Sequence, residues 1–475
     1  KFSSLHHITS FLKFCLRHRY NKTKKYKNLG DNYPTQKLWP IIFQCLTLYL
    51  LACNPSYAEK YSLSQEHFLP SQIARAKIGQ LLFYDNLLSG NRNISCSTCH
   101  HPKHGGGDGL SLGIGEGGVG LGPKRSAGFG DSKILKRIPR NSSSLWNLGH
   151  ESIKVVFHDG RLEISDIYEN GFNSPAQEWL PDGLDTIIAA QALFPLVAQF
   201  EMAGNPKENE IAGAVHDRID AAWPILAKRV RIIPEYGEMF VKAFSNIDAP
   251  EQVSIVEIAN ALGDFINFEW QSFDSPYDEL VVNGINLSDG AERGRKIFFG
   301  RGQCSSCHSG PLFTDQNFYA LSLPAFGPGR TRLFDPIARD TGRMGESDKF
   351  EDAYRFKTPS LRNVTLTAPY GHNGAYPSLE GIVRHHLDPI GMRAKWTRDM
   401  ANLPPAPWLE DIDFVVQSDQ SEINRQKQLI DINKIHLSDD DVSDIILFLK
   451  SLTGKTAELG RLGIPDKVPS GLSID

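Results

Sequence analysis

Apolar residues recur at helical spacing in four segments that pair off into two similar sets. In "SQIARAKIGQLLFYD" the spacing puts Ile73, Ile78, Leu81 and Leu82 on one helical face, with Ser71 as the cap. "LSDGAERGRKIFFGRGQ" repeats that arrangement, with Ser288 as cap, Gly294 matching Gly79, and Ile297 and Phe298 matching Leu82 and Phe83. Each set closes on a further amphipathic helix, "SIVEIANALGDFINFEW" in the first and "LSDDDVSDIILFLKSLTG" in the second. The last has Ser438 as cap, three Asp in its first turn, Val442, Ile445, Leu449 and Leu452 on one face, and Gly454 as its stop. No alternating strand pattern of useful length appears. The pattern predicts an all-α chain with long loops, in two helical domains joined near "FDSPYDELVVNG", at 59–285 and 286–475.

Directly after the first helix of each set stands the same chemical pattern. It is "CSTCH" at Cys96, Cys99 and His100, and "CSSCH" at Cys304, Cys307 and His308. Two thiols at this spacing can add across the two vinyl groups of a haem while the adjacent histidine is carried to the iron. A zinc site would need two further ligands, and none completes a set at usual spacings. A thiol-redox pair would expect a βαβ setting. The remaining three of seven cysteines, Cys15, Cys45 and Cys53, lie within the first sixty residues, so the body of the chain has no spare thiols for disulfides. The pattern therefore predicts two covalently attached c-type haems, each an internal repeat of helix, loop and attachment motif.

The first 58 residues differ in kind. Lys22, Lys24, Lys25 and Lys27 precede the apolar run "LWPIIFQCLTLYLLAC", which is followed by "SYAEK". Three readings stand: an export signal cut after Ala58, lipid attachment at Cys53, or an uncleaved anchor. Each places the rest of the chain in the periplasm, and membrane contact is expected only through this segment. Residues 1–58 hold nine Lys or Arg and one Asp, so removing their +8 from the formal −4 leaves about −12. An acidic exported chain is a poor nucleic-acid binder.

The run "GGGDGLSLGIGEGGVGLGPKR" places Gly113, Gly115 and Gly118 in a dinucleotide-binding spacing. That motif needs a strand before it and a helix after it, and neither is signalled. The stretch is read instead as a flexible surface loop near the first metal site.

These elements and the strings "RIPRNSSSLWN", "FHDGR", "QALFPLVAQFEMAG", "CSSCHSGPLFTD" and "FKTPSLRNVTLTAPYGHNGAYPSLEGIVRHH" occur in one order between about Leu63 and Gly454. In this the chain resembles the bacterial di-haem cytochrome c peroxidases and their relative, the di-haem enzyme of methylamine utilisation, which oxidises tryptophans of a protein. The resemblance implies that the first haem reacts with peroxide, with Gln191 and Glu201 on its distal side and Pro195 between them in sequence. Glu201 would be the acid/base that moves a proton between the peroxide oxygens, and Gln191 would orient peroxide or water.

Three departures from the family pattern change what is expected. Where peroxidases read roughly "SIGHG", with a histidine that closes the resting first iron, this chain reads "SLGIG" with Ile114. The resemblance then implies an open, five-coordinate first iron unless His104 or another nearby histidine substitutes. On the second haem, His308 is the near ligand; the family's far ligand, Met or Tyr, falls fourteen residues after the histidine of "APYGH". From His372 that position is His386, with His385, Met392 and Met344 as alternatives. Finally, "FHDGR" puts His158 where the family has a tryptophan relay between the haems. Imidazole is much harder to oxidise than indole, so electrons would cross by another aromatic, Trp146 being a candidate by proximity in sequence, or His158 has a different role.

The resemblance also implies one calcium ion held by Asn141 and the carbonyls of Thr367 and Pro369, an oxygen-only set that suits calcium. The function expected is peroxide reduction with electrons from a small donor, a cytochrome c or cupredoxin, entering through the second haem. Peroxide-dependent oxidation of a partner protein and a non-enzymatic electron carrier are the alternatives. A homodimer is compatible with the family.

Overall fold

The protein is described by a computed structural model over residues 63–330 and 338–474. Two helix pairs form its frame. Helix Ile73–Tyr84 crosses helix Ile255–Glu269, and helix Asp289–Phe299 crosses Asp439–Lys450. Both crossings are close because glycine stands at the contact. A Cβ at Gly79 would overlap the Ala261 carbonyl oxygen, and one at Gly294 would overlap that of Asp444. The two glycines matched by sequence thus do the same steric work in the two halves. Ser254, Ser288 and Ser438 cap their helices, each accepting a bond from a first-turn N–H.

Several local expectations change. Ser71 caps nothing; its hydroxyl accepts instead from Asn267 Nδ2 at 2.7 Å, and the first helix starts after Gln72 without a side-chain cap. Ile73, on the first turn, is 45% exposed, whereas Ile78 and Leu82 are buried against the partner helix. The last helix ends at Lys450, and Gly454 opens a short helix at Lys455–Leu459. The joining segment is itself helical over Pro276–Asn283, capped by Ser275. The fold is mostly helical but not wholly so. Val155–Val156, Leu162–Ile164 and Phe172–Asn173 form a three-stranded antiparallel sheet, and Phe318–Tyr319 pairs with Phe356–Lys357. Strands of two or three residues are too short to leave an alternating pattern.

Two cores follow the two helix pairs. The larger draws on residues from Leu63 to Trp270, with Leu312, Ala457 and Val468 joining it. The smaller gathers Tyr277, Phe298, Phe313, Ile445, Phe448 and Leu452. The C-terminal tail leaves the second half and packs on the first: Glu269 accepts from the backbone N–H groups of Arg461, Leu462 and Gly463, and Gln80 donates to the Leu462 and Gly463 carbonyls.

The glycine-rich run is not a flexible surface loop over its whole length. Residues 110–115 are buried, with Leu110, Leu112 and Ile114 at 0% exposure. Arg125 holds the stretch by donating to the carbonyls of Ile114, Gly115 and Gly120. Glycine serves close approach here, since a Cβ at Gly115 would overlap the Phe200 carbonyl. Among the described residues no helix is long and apolar enough to cross a membrane. The basic and apolar N-terminal segment read as signal, lipid site or anchor lies outside the described residues.

Candidate active site

The first CxxCH is a single helical turn, Cys96–Cys99, entered through Ser95 and left through His100. His100 Nδ1 donates to the Gly106 carbonyl at 2.9 Å, which leaves Nε2 with its lone pair available to a metal. Burial lowers the pKa of this imidazole and keeps it neutral. Burial also pushes the Cys96 thiol up to about 12 and raises Cys99, so neither is a thiolate. Among the described residues no group of three or more His, Cys, Asp or Glu is placed to hold a metal ion.

Cys96, Cys99 and His100 form one wall of a cavity of about 420 Å³. Apolar side chains including Ile188, Phe194, Leu262 and Ile266 line its body. At its polar edge are Arg140, Arg161 and Arg330, which converge on buried Asp159 at 2.5, 3.4 and 3.2 Å. These guanidinium groups hold the Asp159 carboxyl well below the usual range against the opposing effect of burial. An apolar cavity of ligand size, with two thiols and an imidazole on one wall and three cations at its edge, fits a flat apolar macrocycle bearing two carboxylates.

Gln191 and Glu201 line the same cavity. Gln191 sits on helix Ile187–Val197, which contains Pro195 near its end, and Glu201 lies on the wide turn Gln199–Ala203 that follows. Burial raises the pKa of Glu201, while Arg161 and Arg330 pull it back down. A half-buried carboxyl with a raised pKa beside two guanidinium groups can both accept and return a proton.

Ile114 points away from this cavity into a small cluster with Leu110, Ala127, Ile134, Ala406 and Leu409. The only neighbour it sends to the lining is Gly113. His104 lies against Gly122 and is absent from the lining. The imidazoles that do line it are His100 and His158, and His158 Nε2 donates to the Asn141 carbonyl at 3.1 Å. Burial, then Arg140, lowers His158 to about 4, so it is neutral.

In the second half, His308 Nδ1 donates to the Phe313 carbonyl at 3.0 Å and His386 Nδ1 to the Ile382 carbonyl at 2.8 Å. Both rings therefore keep Nε2 free of a proton, and their centroids are 6.3 Å apart. His308 and His386 are thus the two residues that would hold a metal between them. His385 differs from its neighbour: its Nδ1 pairs with the Tyr376 hydroxyl and its Nε2 donates to the Leu321 carbonyl, both at 2.9 Å. Met392 packs in a separate apolar cluster.

Asn141 is drawn to the "TAPYGH" segment by its backbone N–H, which donates to the His372 carbonyl at 2.9 Å. Its Nδ2 donates to the Leu110 carbonyl, so Oδ1 is the atom left for a cation. Sequence reasoning missed Arg140, Arg161 and Arg330 as cavity residues. Arg161 and Asp159 stand within "FHDGR" and Arg140 within "RIPRN", so two of the three lie in strings that the sequence marks.

With this geometry in hand the known proteins become informative. A family model described as di-haem cytochrome c peroxidase matches residues 73–285. Over that stretch, a little under half of its length, the chain is similar to the di-haem cytochrome c peroxidases. It is 26% identical over 339 residues to the methylamine utilization protein MauG of Methylorubrum extorquens, covering 71% of this chain and 75% of that one. It is 25% identical over 328 residues to the cytochrome-c peroxidase IdrP2 of a Pseudomonas species, covering 65% and 72%. Among solved structures, a MauG-like protein associated with microbial copper homeostasis superposes with a TM-score of 0.54 at 23% identity, over 84% of this chain and 94% of that one, a likeness of fold. The family whose model matches is one of di-haem peroxidases, and the relatives the chain resembles are named cytochrome c peroxidases and methylamine utilization proteins.

Proposed function

We propose that this protein reduces hydrogen peroxide to water at its first site, with electrons delivered by a small redox protein through its second. The observation that carries the reading is the placing of Glu201 and Gln191 in the cavity walled by Cys96, Cys99 and His100. Haem c, held by thioethers to Cys96 and Cys99 with His100 on its iron, would supply the centre that exchanges electrons with peroxide. Glu201 would take the proton from one peroxide oxygen and hand it to the other, which then leaves as water. Gln191 would hold the substrate in line, and Arg161 and Arg330 would keep the Glu201 carboxylate accessible against its burial. The apolar lining would exclude bulk water from the cavity.

Haem c on Cys304 and Cys307, held by His308 and His386, would form the electron-entry site. Ligation by these two imidazoles would close that site to peroxide and would favour a lower potential than methionine. Asn141 Oδ1, with the Thr367 and Pro369 carbonyls, would bind calcium. The periplasm is the proposed location, on the strength of the N-terminal pattern.

The test is turnover by the purified holoprotein. Reduced cytochrome c or cupredoxin should be oxidised by peroxide in a ratio of two electrons per peroxide. If neither donor is oxidised although peroxide disappears with a co-expressed partner protein, the protein is instead an oxidase of that partner, as the similarity to MauG would allow.

A further inference from the structure

His158, which lines the first site, is not easy to oxidise, but an indole pair lies close to His100 of that site. Trp146 and Trp270 are 4% and 2% exposed, with ring centroids 4.9 Å apart and planes at 74°. They meet the site through one dipeptide. The Gly106 carbonyl accepts from His100 Nδ1 at 2.9 Å, and the adjoining Gly105 carbonyl accepts from Trp146 Nε1 at 2.9 Å. Trp270 lies against Gly106, which has φ +84°, and a Cβ there would come within 2.8 Å of the ring. Gly105 in turn abuts the backbone of Leu366 from the second half. A continuous chain of covalent and hydrogen bonds thus joins the ring expected to hold the first iron to Trp146, and ring contact extends it to Trp270.

We propose that Trp146, supported by Trp270, is a one-electron relay on the His100 side of the first site. This rests on the peroxidase reading above. Reduction of one peroxide to two waters consumes two electrons and two protons. When no donor is bound, Trp146 supplies one of those electrons and the haem site the other, and Trp146 becomes an indole radical cation until a donor refills it. Two features put the charge on Trp146 rather than Trp270. Its Nε1–H already has an acceptor in Gly105, and that bond strengthens when the donor becomes charged. Trp270 Nε1 is buried with no acceptor. The Trp270 ring within 5 Å then acts as a cation–π partner, for which indole is the best side chain.

The experiment is freeze-quench EPR of the holoprotein after one equivalent of peroxide, with no donor, in protein carrying ring-deuterated tryptophan or ordinary tryptophan, with residual peroxide assayed in parallel. The expected result is an organic radical whose hyperfine width narrows on tryptophan deuteration, which is lost in Trp146→Phe and decays faster in Trp270→Phe. If Trp146→Phe does not hold both haems, Trp146→Tyr is read in its place, and the tryptophan signal must vanish there too. Peroxide consumed without a deuteration-sensitive radical, or with one unchanged in the Trp146 variant, overturns the relay and leaves the peroxidase reading standing. Peroxide left unconsumed by wild type overturns both.

Discussion

His308 and His386 present their rings to each other with centroids 6.3 Å apart and planes 57° from parallel. Each is oriented by a nearby carbonyl, that of Phe313 or of Ile382, which takes the Nδ1 proton and leaves Nε2 unprotonated. His386→Ala should therefore convert the second haem from low-spin to high-spin, while His385→Ala should leave it low-spin. The His385 change would instead weaken the fold, because it strips partners from the buried Tyr376 hydroxyl and the Leu321 carbonyl, a loss of about 1–3 kcal/mol for each group left unpaired. Magnetic circular dichroism of the two variants distinguishes them.

Among the described residues, His100 and His158 are the imidazoles that line the first site. Ile114 packs with Leu110 and Leu409, and His158 is engaged by Asn141. The fully oxidised protein should show one high-spin and one low-spin haem and react with peroxide without prior reduction. EPR with both oxidised haems low-spin would contradict this.

Glu201→Gln should keep both haems and the cavity but slow peroxide cleavage by roughly 10²-fold or more, the scale of general acid–base assistance. Stopped-flow mixing with peroxide measures the step directly. A rate close to wild type would make Glu201 a structural residue.

Glu201 must be ionised to accept the peroxide proton, and burial raises its pKa. Activity should therefore fall as pH drops through that raised value, giving an acid limb above the ordinary glutamate range. The limb should disappear in Glu201→Gln. Arg161→Gln should shift it further upward, since Arg161 is the larger of the two charges that lower the Glu201 pKa. A rate profile against pH, taken at saturating peroxide, decides both.

Gly79→Ala and Gly294→Ala should each destabilise the fold by about 1–3 kcal/mol, the usual cost of overpacking, because the added carbon meets a backbone carbonyl that cannot swing aside. Denaturant melts of the two variants should show similar losses, as the two crossings are copies of one arrangement.

What the sequence determined by itself was whatever depends on short-range covalent spacing or on one helix's own period. Cys96, Cys99 and His100 lie within one turn, as Cys304, Cys307 and His308 nearly do, so their closeness in space was readable from five letters. Ser438 and the buried face of Val442, Ile445 and Leu449 were equally legible, because cap and face both belong to one helix, whereas Leu452 is buried beyond its end. Tertiary structure alone decided what depends on distant partners. Ser71 looked like a cap until Asn267, far along the chain, took its hydroxyl. His385 and His386 are indistinguishable as letters; only Leu321, 64 residues earlier, consumes the Nε2 of one and leaves the other's available. The glycine-rich run read as flexible because glycine frees an isolated backbone, yet Arg125 and the close approach of Phe200 bury it. Arg140, Arg161 and Arg330 became one group only where folding brought them to Asp159, since Coulomb attraction depends on distance in space and not on separation along the chain.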